Sequence, residues 1–162
     1  MNNFMDLLSA QFLDAMTAFS YFERKKRNFG TPYFFSLTEI HIIAYIGTHP
    51  NCLANDLVGY FSITKGAVSQ IIRKLSKEQM LQYSISPTNR TRHPLCLTKE
   101  GMVAFYRHRQ FHAEINNWIA DSIGSFTKEQ TKAIFEFLQK IEQNCMDRSY
   151  EQNTSEKDTD LR

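Results

Sequence analysis

Apolar residues recur at three- and four-residue steps along most of the chain, a spacing that predicts amphipathic helices. The first such stretch covers residues 4–28, and the second begins at Ser36, a predicted N-cap with Glu39 three positions further on. A short helix is expected over 53–61, and the next is expected to begin after the N-cap Thr64. The first half of the chain is therefore predicted to be helical.

After the fourth predicted helix the spacing changes to an alternation of apolar and polar residues. The alternating apolar positions are Leu81, Tyr83 and Ile85 in the first run and Leu95 and Leu97 in the second. Turn-forming residues at 86–89 separate the two runs, so this segment is predicted to be a hairpin. Thr98 then caps a long helix ending at Gly124, and Thr127 with Gln130 forms a capping box for a final helix. The predicted fold class is mainly α with a small β hairpin.

Length and composition predict one folded domain followed by a short tail. The chain has 162 residues, 42% of them hydrophobic, which suits a single domain over residues 1–146. Residues 147–162 are polar and are predicted to be a disordered tail. The chain contains no apolar run long enough to cross a membrane, and its start lacks the pattern of a signal peptide. We therefore expect a cytoplasmic protein without a membrane partner.

Positive charge is concentrated in one segment of the chain. Between residues 62 and 99 there are seven Lys or Arg and one acid, whereas the rest carries twelve Lys or Arg and sixteen acids. This asymmetry is expected of a protein with one face that meets phosphates. The basic run 24–27 is interpreted differently, because cations in a last helical turn are ordinary complements of the helix dipole.

The fourth predicted helix has one apolar face and one basic face. Its apolar positions are Val68, Ile71, Ile72 and Leu75. The opposite face is polar and basic, with short side chains near its start: Lys65, Gly66, Ser69, Gln70, Arg73, Lys74 and Lys77. Such a helix can approach the floor of a DNA groove closely, which is typical of a recognition helix.

The order of the predicted elements resembles that of the MarR family of bacterial transcription regulators. Residues 63–75, with the sequence ITKGAVSQIIRKL, resemble that family's recognition helix. The pattern Pro-x-Asn-Arg-x-Arg at 87–92, followed by Leu-Thr-Lys-Glu-Gly at 97–101, is similar to its wing and the start of the next helix. The resemblance covers about residues 4–146.

The resemblance implies a homodimer that binds double-stranded DNA and has no enzymatic activity. The winged helix-turn-helix would cover about 36–99, and the dimerisation helices about 4–28 and 99–146. Two modules, each with a recognition helix at 64–77 and a wing at 82–97, would read a palindromic operator, as a two-fold dimer requires. A repressor is expected.

The resemblance also assigns DNA contacts to individual residues. They are Thr64, Lys65, Ser69, Gln70, Arg73, Lys74, Arg90 and Arg92. Gln70 and Arg73 suit base edges because each can bond bidentately. Arg90 and Arg92 are expected at the minor groove or its phosphates, where a narrow groove concentrates negative potential.

Four residues depart from the family's pattern. Asn89 stands where an aspartate usually helps to aim the wing arginine, so a less rigid Arg90 is expected. Ser62 occupies a turn position often held by glycine, and Val58 one often held by alanine, so the two helices are expected slightly farther apart. Pro94 interrupts a wing strand and implies an exposed edge.

Histidines on the predicted scaffold are candidates for an effector site. His108 and His112 are four residues apart on one helix face, a spacing that lets two imidazoles share a metal ion. In the zinc-sensing branch of the family, similarly placed residues bind one zinc ion, and the corresponding positions here are Glu23, His41, His108 and His112. That branch's second zinc site would fall on Phe29, Ile40 and Arg107.

Other interpretations of the same residues stay open. The segments 39–41, 46–47 and 108–112 also resemble the branch that controls fatty-acid synthesis, whose co-repressor is an acylated carrier protein. Small aromatic acids, or structural histidines with no effector, are further alternatives. Outside the regulator class, the chain would be a winged-helix protein-interaction module without DNA binding. A metal-dependent hydrolase is disfavoured, because no His-Glu-x-x-His motif or nucleophile elbow is present.

Overall fold

Six helices and one hairpin make up the described part of the fold. The computed structural model describes residues 3–84 and 93–159, with 149–159 described by backbone alone. In chain order the elements are α1 (Asn3–Arg24), α2 (Leu37–Thr48), α3 (Ala54–Phe61), α4 (Lys65–Lys77), β1 (Leu81–Tyr83), β2 (Leu95–Leu97), α5 (Lys99–Ile123) and α6 (Lys128–Thr159). The strands pair antiparallel, with Gln82 opposite Cys96. The predicted class, mainly α with a small wing, is confirmed.

The predicted N-caps start the helices as the sequence indicates. Ser36 and Glu39 form a reciprocal capping box, in which the Ser36 N–H donates to Glu39 Oε2 at 2.8 Å. Thr64 Oγ1 accepts a backbone N–H from the first turn of α4 at 3.2 Å. Thr127 and Gln130 form a second reciprocal pair at the start of α6. Side-chain capping therefore fixes where these three helices begin.

The first helix ends earlier than its apolar spacing predicts. α1 stops at Arg24, whereas the expected helix continued to residue 28. The chain turns back so that the Phe35 N–H donates to the carbonyl oxygen of Arg27 at 3.0 Å, and this bridge replaces further helical bonds. Phe29 and Gly30 take positive φ angles of 44° and 78° within the reversal. The end of α1 is thus set by a long-range backbone contact.

The core of the first unit lies between α2, α3, α4, the wing and the start of α5. Its buried apolar residues are Phe35, Ile40, Ile42, Ile43, Ile46, Cys52, Leu57, Val68, Ile72, Leu75, Met80, Leu81, Leu95, Ala104 and Phe105. α4 contributes Val68, Ile72 and Leu75, with Ile71 half-buried. The apolar face predicted for this helix is therefore the one that packs inward, which leaves its basic face outside the core.

Backbone contacts divide the chain into two compact units, Met1–Ala113 and Glu114–Arg162. The second unit contains the last turns of α5 and all of α6. The backbone of α6 is helical to Thr159, where the polar composition predicts a disordered tail over 147–162. Glu, Gln, Lys and Arg favour a helix even without an apolar face, and the tail stays a prediction. A single domain over 1–146 stays a prediction.

Both terminal regions carry large apolar side chains on their surfaces. On α1 these are Phe4, Met5, Leu7, Leu8, Leu13 and Met16. In the second unit they include Trp118, Ile119, Phe126, Phe135, Leu138 and Met146. Exposed apolar side chains in such number are typical of interaction surfaces. Within the described residues, no helix is long and apolar enough to cross a membrane.

Replacing Ser62 by glycine should raise the free energy of unfolding by about 0.5–1 kcal/mol, because the backbone of Ser62 is left-handed and this conformation is unfavourable for a residue with a Cβ. Ser62 follows α3 with φ 51° and ψ 38°, the conformation that glycine adopts most readily. Urea denaturation measures the change. Ser69→Gly is the matched control, because the same exchange inside α4 should lower stability by up to about 1 kcal/mol. Equal losses in both variants would contradict the strain at Ser62.

Candidate nucleic-acid interface and metal cluster

The outer face of α4 presents the polar residues that the sequence placed there. Thr64, Lys65, Ser69, Gln70 and Arg73 are all exposed, on the side opposite the buried apolar residues of the helix. The short side chains stand in the first turns, and the two long bidentate side chains follow. Five of the predicted contact residues therefore share one accessible surface, which we call the α4 face.

Lys74 differs from the other predicted contact residues. Its ammonium group lies 2.7 Å from Glu39 Oε1 on α2 and 3.9 Å from Glu78 Oε1. Burial would raise the pKa of Glu39, but the hydrogen bonds from Lys74 and Ser36 outweigh it and the pKa is lowered. The structure thus ion-pairs Lys74 with Glu39 and fastens α4 to α2, whereas the sequence placed Lys74 among the DNA contacts.

The wing is described only at its base, because Asn89, Arg90 and Arg92 lie outside the described residues. The Ser84 N–H donates to the Pro94 carbonyl at 2.7 Å, and the Leu95 N–H donates to the Cys52 carbonyl at 2.7 Å. Pro94 itself is buried. The exposed edge expected at Pro94 is therefore wrong, since a backbone bond from Leu95 to Cys52 occupies that side of the strand.

Three histidine side chains from α2 and α5 meet in the first unit. One ring nitrogen from each of His41, His108 and His112 lies within 4.8 Å of the other two. His112 Nε2 is 3.0 Å from His108 Nε2, so one ring donates a hydrogen bond and the other accepts it. The ring centroid of His41 is 5.3 Å from that of His108. We call this group the histidine cluster.

Burial favours the neutral forms of two of the three histidines. Burial first, and then the neighbouring His112 and His41, lower the pKa of His108 to about 4. Burial also lowers the pKa of His41, although the charge of Glu23 acts in the opposite direction. Because a metal ion needs the lone pair of a neutral imidazole, His41 and His108 have the protonation state for metal binding at neutral pH.

The cavity beside the histidine cluster is small and charged. It measures about 10 Å³, and its walls include Glu23, Lys25 and Arg27 as well as the three histidines. That volume accommodates one water molecule or one ion and excludes an acyl chain. The structure therefore brings together the three histidines that the zinc resemblance singled out, His41, His108 and His112. The fourth residue, Glu23, lines the same cavity, but its carboxylate is not among the ligand atoms that lie within 4.8 Å of one another.

The positions of the branch's second zinc site do not form one here. Phe29 packs its ring edge-on against His108, with centroids 5.4 Å apart. Ile40 belongs to the core, and Arg107 donates to Gln110 Oε1 at 3.2 Å. Two apolar side chains and a guanidinium supply no metal ligand, so the four residues around the small cavity stand alone as the candidate site in this region.

Sequence reasoning missed the role of Arg27. The basic residues 24–27 are expected from the sequence to be solvent-exposed cations that complement the helix dipole. Arg27 is instead half-buried, and its guanidinium donates to three backbone carbonyls near the end of α1. Because Arg27 lies beyond the last residue of α1, no helical periodicity marks it. Only the reversal that brings Phe35 back to Arg27 explains its burial.

These observations define the class of protein. Two helices joined by a tight turn, with the second presenting a polar outer face, precede a two-stranded hairpin and a long helix. This is the arrangement of a winged helix-turn-helix protein.

The comparisons with known proteins agree. Residues 35–93 match the model of the MarR family. The HTH-type transcriptional regulator PchR of Bacillus subtilis is 26% identical over 65% of this chain, and the match spans 63% of its own length, less than two thirds. These findings confirm the resemblance to the MarR family, whose members are transcriptional regulators and not enzymes.

Solved structures share the fold at lower identity. The structure of Streptococcus pneumoniae FabT in complex with DNA has a TM-score of 0.65 at 21% identity, covering 89% of this chain and 96% of that chain. The zinc-dependent MarR family regulator AdcR in its Zn(II)-bound state has a TM-score of 0.71 at 18% identity, covering 90% of this chain and 99% of that chain. Both resemblances place the chain in the same winged fold.

Proposed function

We propose that this chain is a cytoplasmic, homodimeric, sequence-specific DNA-binding transcriptional regulator that represses from a palindromic site. The observation that carries the proposal is the α4 face: five polar or basic residues exposed together on a helix whose other side is locked into the core. An element held rigidly on one side and polar on the other is what major-groove recognition requires. FabT, which shares the fold, has been crystallised with DNA.

A dimer is supported by the exposed apolar side chains of α1 and of the second unit. A second copy would bury these surfaces, and the two-fold axis between copies would give the operator its palindromic symmetry. Within each half-site, Thr64, Lys65 and Ser69 would meet the backbone and groove edge, and Gln70 and Arg73 the bases. The wing arginines, Arg90 and Arg92, would meet the minor groove.

Replacing Arg73 by alanine should weaken binding to the operator by about 1–3 kcal/mol and relax the preference at one base position, since a bidentate contact is lost. Fluorescence anisotropy with DNA from upstream of the chain's own gene, at several salt concentrations, measures both effects. The comparison variant is Lys77→Ala, which removes an exposed cation at the end of the same helix and should weaken binding without relaxing the base preference. A wild-type affinity that is absent or insensitive to salt would refute DNA recognition, because phosphate contacts release counterions.

As the effector we propose a transition metal ion, with zinc as the first candidate. Three imidazole nitrogens and one carboxylate, from His41, His108, His112 and Glu23, are donors that zinc prefers, and the small cavity admits an ion. AdcR, which shares the fold, is described as zinc-dependent. A bound cation would supply the positive charge that holds these four side chains in one arrangement.

The route from the histidine cluster to DNA runs through α2. His41 and Glu39 stand two residues apart on that helix, and Glu39 is ion-paired with Lys74 on α4. Side chains from α1, α2 and α5 that bind one ion together would fix the position of α2, and with it the α4 face. An effector can act only through different affinities for two such arrangements, so metal and DNA must each change the other's binding.

Replacing His112 by alanine should reduce zinc affinity by more than about 10–100-fold, the cost of losing a residue that only hydrogen-bonds a ligand, because a direct ligand is removed. Competition against a fluorescent chelator, using protein without an affinity tag, measures the affinity. Since Phe29 and Arg107 supply no second site, wild type should bind one zinc ion per protomer. His93→Ala, which removes an exposed histidine of the wing, should leave the affinity unchanged.

The same titrations separate the alternatives. DNA binding that is independent of zinc and responds to an acylated carrier protein would replace the metal by a lipid-like effector. That ligand needs a larger cavity than the one beside the histidine cluster. The chain would instead be a protein-interaction module if wild type bound no DNA and the Arg73→Ala variant still bound a protein partner.

A further inference from the structure

We propose that Arg27 is a positioning residue for the histidine cluster and acts through Glu23. This inference rests on the proposed metal-binding function and adds a residue that ligates no metal itself. The guanidinium donates to the carbonyl oxygens of Phe22 at 2.7 Å, Glu23 at 3.3 Å and Lys25 at 2.8 Å. Carbonyls at a helix end lack intrahelical partners, so this clamp fixes the last turn of α1, and with it the backbone from which the Glu23 carboxylate extends.

The guanidinium of Arg27 also connects α1 to α5. Its central carbon lies 4.6 Å from the ring centroid of Phe22 and 4.4 Å from that of Phe111. Phe111 is adjacent to His112 on α5, and its ring stacks against Phe22 at 5.6 Å. A guanidinium over an aromatic face is attracted by the negative face of the ring, and more strongly where it is partly desolvated. Arg27 therefore holds the helix of Glu23 against the helix of two histidines.

The backbone of Arg27 provides a third connection, to α2. Its carbonyl accepts the N–H of Phe35 at 3.0 Å, and Phe35 is a core residue directly before the N-cap of the helix that carries His41. One residue thus contacts each segment that supplies a candidate ligand. Lysine could not replace it, because an ammonium group lacks the planar fork that reaches several carbonyls and stacks between rings.

The charge of Arg27 and its positioning of Glu23 should affect metal affinity in opposite directions. Its positive charge lines the same cavity as the histidines and would repel a metal cation. If charge alone mattered, neutralising Arg27 would tighten metal binding. If Arg27 positions Glu23, the same substitution weakens binding, by the about 10–100-fold typical of residues that orient a ligand.

The test is zinc affinity in chelator competition for wild type, Arg27→Met, Glu23→Gln and the double variant, with metal-free thermal stability measured alongside. Arg27→Met should weaken binding about 10–100-fold. The double variant should be no weaker than Glu23→Gln alone, because non-additivity marks two residues that act as one unit. Lys26→Met removes a neighbouring exposed charge and should change the affinity less than about twofold.

If Arg27→Met fails to fold, Arg27→Lys carries the test, since it keeps the charge and loses the fork. Binding as tight as, or tighter than, wild type in the folded Arg27 variant would overturn the positioning role, as would additive losses in the double variant. Both results leave the proposed metal function intact. Wild type that binds no zinc would overturn that function, and the role of Arg27 with it.

Discussion

Gly101→Ala should destabilise the protein by about 3 kcal/mol or more, the upper range for inserting a methyl group into a packed interior. A Cβ at residue 101 would overlap the carbonyl oxygen of Met80 and lie 3.4 Å from Leu97 Cβ. Met80 cannot move aside, because the same carbonyl accepts the Thr98 N–H at 3.1 Å where the wing joins α5. Chemical denaturation followed by circular dichroism measures the loss.

The chain offers a matched control for this substitution. Gly59 lies within α3, and a Cβ there meets no atom within 4 Å. Gly59→Ala should raise stability by about 1 kcal/mol, because alanine is the better helix former. The same chemical change should therefore have opposite signs at the two positions. A Gly101→Ala variant as stable as wild type would show that α5 does not pack this closely on the Met80 carbonyl.

The metal-free protein should lose about 3 kcal/mol of stability as the pH falls from 6.5 towards 4, because the pKa of His108 is held at about 4 in the folded protein. A histidine in the unfolded chain has a pKa near 6.5. Below that pH, His108 is therefore protonated in the unfolded chain but not in the folded protein. Stability therefore rises with pH across this window and is independent of His108 above it. Urea denaturation at a series of pH values, with chelator present, measures the curve.

The control for the pH experiment is a variant in which the buried ring cannot titrate. His108→Leu replaces the imidazole by an apolar side chain of similar size and should flatten most of the decline between pH 6.5 and 4. His93→Gln, which removes an exposed histidine, should keep it. An unchanged slope in His108→Leu would mean that other groups, such as His41, carry the acid sensitivity.

Local patterns in the sequence were sufficient for most of the fold. The capping boxes at Ser36 and Thr127, and the cap at Thr64, depend on residues three apart, so the sequence displays them directly. The buried face of α4 follows from helical spacing in the same way. The histidine pair on α5 also follows from spacing, but the approach of His41 and Glu23 came from the family resemblance.

The rest depended on contacts between distant parts of the chain. The end of α1 is set by the bridge from Arg27 to Phe35, and the apolar spacing continues past it. The ion pair of Lys74 joins residues 35 positions apart. The sequence of the helix alone therefore gave no reason to assign Lys74 a different role from Arg73. The need for glycine at 101 arises from the Met80 backbone, which no pattern of side chains reveals.

The carboxylate of Glu39 gives the two helices of this module a common fastening. One oxygen closes the capping box of α2 and the other holds the ammonium group of Lys74 on α4. A single side chain therefore connects the start of α2 to the last turn of α4, in addition to the core that the two helices share. A displacement of α2 relative to α4 would have to break this ion pair, so we expect the two helices to move together.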